Sequence, residues 1–383
     1  MKIVCASSVL FGREAFSTLG EIVVLPDRAI TKKDLQDADA LIVRSKTTIN
    51  EALLEGTPVG FVGMATAGTD HMDLNYLAHS PLAWSAAPGC NANSVAEYFT
   101  AALLFLAHRS GFVLENMVVG VVGVGQVGGR VVQKAEAMGM TVLRNDPPLQ
   151  VATGDTGFVP IEEVLRHADI LTFHVPLTQV GTYPTRGMVK CNFLASARPG
   201  CIFINAARGE VVDSEALMFA LEQHIVSHAV LDVWENEPFI SPALLQKVAL
   251  GTPHIAGYSF EGRLNGTMQI YREACHYFEI EPGWSPDESV FPRAPEIRAD
   301  TRGKSDEAVL WEIVRAAYDI EADDRALRTG AGYDETARAM HFDALRRDYP
   351  ARREFPAVSV VLEHASAELR AKVGALGFRV SVE

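Results

Sequence analysis

Several things are scarce in this 383-residue chain, and each scarcity narrows what the protein can be. The five cysteines (Cys5, Cys90, Cys191, Cys201 and Cys275) are scattered, and no CxxC pair occurs. A dispersed, odd-numbered set indicates neither a zinc site nor a disulfide framework, and it suits a reducing cytoplasm. Positive charge is short: 34 Lys and Arg stand against 48 Asp and Glu, a formal net charge of −14. That disfavours nucleic acid as a partner, because neutralising phosphates needs a basic surface. Long hydrophobic runs are missing. The most apolar stretch, 95–107, is interrupted by Glu97 and is too short to span a bilayer. The opening MKIVCASSVLFG has one lysine and a brief apolar run, and it reads as a first strand rather than a secretory leader. No internal repeat or low-complexity tract stands out. The expectation is a soluble cytoplasmic protein with no membrane or nucleic-acid partner and no metal site.

What is there is ordinary globular material, 48% apolar and 21% charged, enough for two or three domains. Short apolar runs at 2–6, 22–25, 40–44, 60–64 and 82–86 alternate with helical stretches. Continuous apolar strands separated by helices predict a parallel sheet covered on both faces. Pro88-Gly89 ends this unit. Asn93 or Ser94 is the expected cap of an apolar helix through Ala107, buried between domains or subunits. A second set of strands is predicted at 118–122, 141–145, 170–174, 201–205, 229–233 and 248–250, which suits a doubly wound sheet. Leu264, Met268, Tyr271, Cys275 and Phe278 share one helical face, which predicts a helix returning to the first unit. Residues 281–305 read as a linker. Beyond it, helices near 305–318, 335–346 and 366–375 and strands at 358–362 and 378–382 make a third unit.

Gly123-Val124-Gly125-Gln126-Val127-Gly128 matches GxGxxG, follows a predicted strand and opens a predicted helix. Gly123 allows the tight turn, Gly125 lets a pyrophosphate approach the helix N-terminus, and Gly128 allows close helix–strand packing. The next strand ends at Asp146, eighteen residues after Gly128. A carboxylate there can accept from ribose hydroxyls and would repel a 2′-phosphate, so NAD is expected rather than NADP. His174-Val175-Pro176 follows the third strand and is expected on the adenine side; a core histidine is the alternative for His174.

Three further segments end predicted strands of the same sheet: Asn205-Ala206-Ala207-Arg208-Gly209, Asp232-Val233-Trp234-Glu235-Asn236-Glu237-Pro238 and Pro253-His254-Ile255-Ala256-Gly257-Tyr258. Open α/β sheets bind ligands at that edge. A cation, an acid and a histidine meeting there can oxidise a 2-hydroxy acid. Neutral imidazole takes the alcohol proton. A carboxylate behind it fixes the tautomer and stabilises the imidazolium. An arginine grips the substrate carboxylate.

On GVGQVG, NAARGEVVD, LDVWENEP and TPHIAGYS, the chain resembles the D-2-hydroxyacid dehydrogenase family over roughly residues 1–280. The resemblance implies Arg208 on the substrate, Glu237 orienting the histidine and His254 as acid/base. It places Asp232 at the nicotinamide carboxamide and Gln126 and Val127 at the pyrophosphate, with Ala206 and Gly257 bordering the nicotinamide. Val175, Ala207 and Arg208 complete the expected cofactor contacts. The implied fold is two doubly wound α/β domains, flavodoxin-like and Rossmann, plus a small α+β C-terminal dimerisation domain. The expected divisions are 1–93 with 257–285 for substrate, 94–256 for NAD and 286–383 for a homodimer.

Within the family, the Arg44-Ser45 and Gly68-Thr69-Asp70-His71 segments and the third unit are similar to a branch acting on a phosphorylated 2-hydroxy acid. By that resemblance Ser45, Thr66 and Tyr258 contact substrate; Arg44 and Lys46 beside Ser45 suit a phosphate, a solvated loop end being the alternative. Arg346, Arg347, Arg352 and Arg353 form a second basic cluster, either reaching a phosphate across a dimer or forming a solvated face. Two alternatives stay open: another dehydrogenase of the family, of 3-phosphoglycerate or glyoxylate/hydroxypyruvate type, and a non-enzymatic NAD(H) sensor on the same fold.

Overall fold

The computed structural model describes residues 1–382. They form two compact units: Met1–Asn91 with Ser259–Arg293, and Ala92–Tyr258 with residues 294–382.

The first unit holds β1 (Lys2–Ala6), β2 (Glu21–Leu25), β3 (Ala40–Val43), β4 (Phe61–Met64) and β5 (Ala83–Ala86). They pair in parallel in the order β2-β1-β3-β4-β5. β3 and β4 are buried throughout, which is why they read as unbroken apolar runs. The helix Phe260–Tyr277 supplies Ile270, Tyr271, Ala274 and Cys275 to this core. It lies so close to β4 that a side chain at Gly63 would overlap Ile270. The chain therefore does return to its first sheet.

In the second unit β6 (Val118–Val122), β7 (Thr141–Asn145), β8 (Ile170–Phe173), β9 (Cys201–Asn205), β10 (Val226–Leu231) and β11 (Leu250–Gly251) form a parallel sheet. Its order is β11-β10-β9-β8-β6-β7. Strand order reverses between β6 and β8, the place where such sheets bind ligands. The helix Ala92–Ser110 starts earlier than expected, so Asn93 and Ser94 are inside it and do not cap it. Asn93 instead donates to Glu97 Oε1 at 2.8 Å, and Ser94 donates to the Ala256 carbonyl at 2.7 Å.

The stretch 281–305, expected as a linker, contains a strand. β12 (Glu296–Asp300) pairs in parallel with β13 (Ser359–Glu363), which pairs with β14 (Arg379–Val382). β12 escaped notice because only Ile297 and Ala299 point inward, while Glu296, Arg298 and Asp300 carry charge along a sheet edge. The sheet is wholly parallel, so the segment is a small α/β layer rather than α+β. Nor does it stand apart. Val309, Leu310, Trp311 and Val314 from the helix Asp306–Ala317 share one apolar cluster with Leu103, Phe105 and Leu106 of the helix Ala92–Ser110. Residues 294–382 thus share one apolar core with the helix Ala92–Ser110. No described helix is long and apolar enough to cross a membrane.

Candidate active site

The glycine turn follows β6 directly. Gly123 adopts φ 84°, and a Cβ at Gly128 would overlap the Gly123 carbonyl. Those two positions need glycine for shape. Gly125 differs, since a Cβ there would meet nothing within 4 Å. It precedes the helix Gln126–Ala137, whose N-terminus has no side-chain cap. Uncovered backbone N–H groups at a helix start, with open space in front, fit a pyrophosphate.

Asp146 lies at the end of β7 as expected, and it has a second duty. Its Oδ2 accepts from Val124 N–H at 2.8 Å and its Oδ1 from Leu149 N–H at 3.0 Å. The carboxylate thus ties the glycine turn to the helix Pro147–Thr153 that it caps. A carboxylate keeps further acceptor capacity for hydroxyls. His174 is the core alternative: burial pushes its imidazole down to about 3, and Nε2 pairs with Thr172 Oγ1 at 2.9 Å. What borders the glycine turn is the His174 carbonyl and the Val175 side chain, which a Cβ at Gly123 would overlap.

Around Arg208, Glu237 and His254, local sequence explains each placement. Asn205 ends β9 fully buried, accepts from Ala207 N–H at 3.0 Å and donates to the Arg208 carbonyl at 2.9 Å. This folds the turn that carries Arg208. Gly209 comes next because a side chain there would collide with the Trp234 backbone. The arginine turn is thereby laid against the 232–238 segment. Arg208 itself remains partly exposed.

Glu237 is largely shielded, with 19% side-chain exposure. Its Oε1 accepts from Trp234 N–H at 2.9 Å and its Oε2 pairs with His254 Nδ1 at 2.7 Å. Burial alone would raise its pKa. His254, Arg346 and the Trp234 N–H outweigh burial and hold it below the usual carboxylate range. An ionised Glu237 accepts from Nδ1–H, so the neutral imidazole carries its lone pair on Nε2. The pair is partly open, with 31% exposure at the His254 side chain.

Asp232 is 1% exposed. Its Oδ1 accepts from Thr252 Oγ1–H at 2.7 Å and Ile255 N–H at 2.8 Å, its Oδ2 from Ala256 N–H at 2.9 Å. Its carbonyl accepts from His254 N–H at 2.7 Å. Read from sequence as a nicotinamide contact, Asp232 is here the anchor of the whole 254–256 segment. Thr252 and Asn205 open the motifs TPHIAGYS and NAARGEVVD, but nothing in the sequence pattern reveals that their side chains hold these loops.

The second basic cluster is not a solvated face. Arg352 is 7% exposed and donates through Nη2 to Ser94 Oγ and, at 2.7 Å, to the Ala256 carbonyl. Arg346 reaches Glu237 Oε2 at 4.0 Å with 14% side-chain exposure. Only Arg347 stays outside, paired with Asp348. Tyr258 packs edge-on against Tyr349, ring centroids 5.9 Å apart. Arg44 and Ser45 follow β3, and Thr66 follows β4, at the C-terminal edge of the first unit's sheet. Ser45 is exposed; Arg44 and Thr66 are partly so.

Residues 103–256 match the family model "D-isomer specific 2-hydroxyacid dehydrogenase, NAD binding domain", and 290–377 match a "domain of unknown function". Erythronate-4-phosphate dehydrogenase of Azotobacter vinelandii is 46% identical over 380 residues, covering 98% of this chain and 99% of that one. Its namesake in Escherichia coli (strain UMN026) is 45% identical over 377 residues, 98% of each. Among solved structures, NAD+-bound 3-phosphoglycerate dehydrogenase of Entamoeba histolytica aligns with TM-score 0.63 at 25% identity, over 73% of this chain and 95% of that one. D-Lactate dehydrogenase of Aquifex aeolicus, complexed with NAD and lactic acid, shares the fold with TM-score 0.60 at 23% identity, over 72% of this chain and 95% of that one. This chain belongs to the erythronate-4-phosphate dehydrogenase family, a branch of the D-isomer specific 2-hydroxyacid dehydrogenases.

Proposed function

We propose that the protein oxidises 4-phospho-D-erythronate to (R)-3-hydroxy-2-oxo-4-phosphooxybutanoate with NAD, a step of pyridoxal 5′-phosphate biosynthesis. The observation that carries the mechanism is the 2.7 Å contact between His254 Nδ1 and Glu237 Oε2. It commits Nδ1 as donor and leaves Nε2 to take the proton of the substrate C2 hydroxyl. Bound NAD supplies the acceptor for the hydride that leaves C2. As the carbonyl forms, the proton rests on His254 and Glu237 offsets the imidazolium charge. Arg208 holds the substrate carboxylate and polarises the developing carbonyl.

The cofactor residues in this reading are Gly123, Gly125, Gln126, Val127 and Gly128 at the pyrophosphate, Asp146 at the ribose, and Val175, Ala206, Ala207, Arg208, Asp232 and Gly257 along the rest. With Asp232 already accepting from its own loop, its part at the nicotinamide is to hold the Ala256–Gly257 backbone in place. Arg44, Ser45, Thr66 and Tyr258 are proposed substrate contacts, Arg44 for the phosphate. The same reading assigns 1–93 with 257–285 to substrate, 94–256 to NAD and 286–383 to a cytoplasmic homodimer. Exposed Met340 and Tyr333 (69% and 49%) offer apolar surface for that contact.

Initial rates with NAD and either 4-phospho-D-erythronate or 3-phosphoglycerate test the assignment. The expected result is a higher kcat/KM for 4-phospho-D-erythronate. Faster turnover of 3-phosphoglycerate would move the protein to a sibling reaction. NADH binding with no turnover of any 2-hydroxy or 2-oxo acid would make it a sensor.

A further inference from the structure

Resting on the acid/base reading of His254 and Glu237, we propose that Arg346 is a positioning residue through which the C-terminal segment sets the pH range in which His254 works. Arg346 belongs to the helix Glu335–Arg347, far in sequence from both partners. Its Nη1 lies 4.0 Å from Glu237 Oε2, the same oxygen that pairs with His254. The guanidinium carbon sits 5.8 Å from the Tyr258 ring centre and 6.0 Å from that of Phe342. Burial works against its charge, but Tyr258, Glu237 and Asp232 outweigh it and hold the guanidinium above its ordinary value.

This is poor geometry for a residue kept only for stability. A structural arginine–carboxylate pair is normally bidentate and near 2.8 Å. Here the approach is single and long, and the buried Nε has no hydrogen-bond partner. Burying a charge so incompletely satisfied costs stability. What the arrangement does supply is a fixed positive charge behind the dyad.

The other groups around Glu237 do not supply that charge. From its own segment comes the Trp234 N–H; the neighbouring Glu235 carboxylate is turned to Ser214 N–H at 3.0 Å. From the 254–258 segment come His254 and the Tyr258 phenol. From the end of β10 comes Asp232, which is negative and committed to backbone N–H groups. Further out, Tyr349 and Tyr318 both donate to Asp323 Oδ2 (2.8 and 2.9 Å). Among these groups Arg346 is the cation facing the carboxylate, apart from His254 itself when protonated.

The sign follows. Glu237 favours the imidazolium form of His254, and Arg346 weakens that pull by neutralising Glu237 and by repelling the imidazolium. Oxidation requires the neutral imidazole, so Arg346 extends activity to lower pH. The same helix and the turn after it keep the rest of the segment in register: Tyr349 packs on Tyr258, and Arg352 holds the Ala256 carbonyl at 2.7 Å.

The experiment is the pH profile of kcat/KM for NAD-dependent oxidation of 4-phospho-D-erythronate by the full-length protein. In Arg346→Gln and in the near-isosteric Arg346→Met the acid limb should move to higher pH by roughly one unit, the size of one charge acting across a few ångströms of partly screened protein. Arg346→Lys should bring the limb most of the way back. Two neutral variants keep the test standing if one fails to fold. Superimposable profiles for all variants would overturn the proposal. So would an unmoved limb with a raised KM, which would make Arg346 a substrate ligand. His254→Asn is the control: near-normal turnover in that variant defeats the acid/base reading, whereas an unmoved limb defeats only the role of Arg346.

Discussion

His254 holds its backbone at φ 57°, a conformation that a non-glycine residue adopts at a cost of about 1–3 kcal/mol. Asp232 offsets that cost by accepting from three successive backbone N–H groups, those of His254, Ile255 and Ala256. The imidazole is thus aimed by a neighbour that touches only its backbone, and by Glu237, which touches its ring. A fair test of the ring's chemistry must spare this loop. Asparagine tolerates left-handed backbone better than most residues, so His254→Asn should leave the segment in place while removing the base. Turnover should then fall by roughly a hundred- to ten-thousandfold, the usual worth of general acid–base help. NADH affinity, read by fluorescence titration, should change little. A variant with full turnover would remove His254 from the reaction, and loss of NADH binding would mean the loop, not the ring, was damaged. At this scale the sequence is informative where a polar residue sits in the loop leaving the C-terminal end of a strand, as Arg208, Glu237 and His254 do after β9, β10 and β11. It was uninformative where the partner comes from a distant helix. Arg346 is one arginine among several in a polar stretch, and no local pattern separates it from the exposed Arg347. Asp232 was noticed, yet its hydrogen bonds run to backbone N–H groups, which spacing cannot reveal.

Among the elements, those with strong periodicity were legible to within a residue or two. β6, β7 and β9 are uninterrupted apolar or β-rich runs bounded by turns, and they fell where expected. β12 did not, because an edge strand with two inward side chains resembles a charged loop. The helix Ala92–Ser110 shows a further limit. Its apolar face was evident, but the buried Glu97 within it was read only as a break in hydropathy. The structure puts Glu97 at 1% exposure, accepting from Asn93 and from Phe355 N–H at 2.7 Å. Burial first, and then the neighbouring Glu354, push its pKa from 4.5 up to about 8, against the pull of Lys134 and Arg352. The folded protein therefore keeps a proton that the unfolded chain releases between about pH 4.5 and 8. By linkage, stability falls as pH rises through that window. Glu97→Gln keeps an acceptor for Phe355 N–H and cannot ionise. Its melting temperature should decline less than that of the parent protein between pH 5 and 8, measured by calorimetry in matched buffers. Parallel declines would mean that another group carries the titration.

For the molecule as a whole, the C-terminal ninety residues raise a question of autonomy. In sequence they look detachable, since a Pro- and Gly-rich stretch precedes them and a separate family model covers 290–377. In the structure they complete the core that begins with the helix Ala92–Ser110. Trp311 lies 6.2 Å from Phe105 and stacks on His108 at 5.4 Å, centroid to centroid. Phe355 N–H donates to Glu97, and Lys134 donates to the Leu376 carbonyl at 2.5 Å. The helix Ala92–Ser110 is buried at every position from Ser94 to Ala107. Removing its cover would expose large apolar side chains at about 25 cal/mol per Å² of newly wetted surface, and would strip Glu97 of the Phe355 N–H and Lys134 of the Leu376 carbonyl. A loss of that kind rivals the whole stability of an ordinary domain. A chain ending at residue 293 should consequently be insoluble, or remain soluble only as a loosely packed state that binds ANS and melts without a cooperative transition. The comparison is with the full-length protein in the same buffer, by near-ultraviolet circular dichroism and calorimetry. If the shortened chain instead melts cooperatively near the parent temperature and still binds NADH, the C-terminal segment is an independent attachment. In that case Arg346 and Arg352 would be additions to a finished site. If it collapses as expected, the segment is part of the fold that holds His254, and the His254–Glu237 pair depends on residues 294–382 as well as on the loops that carry it.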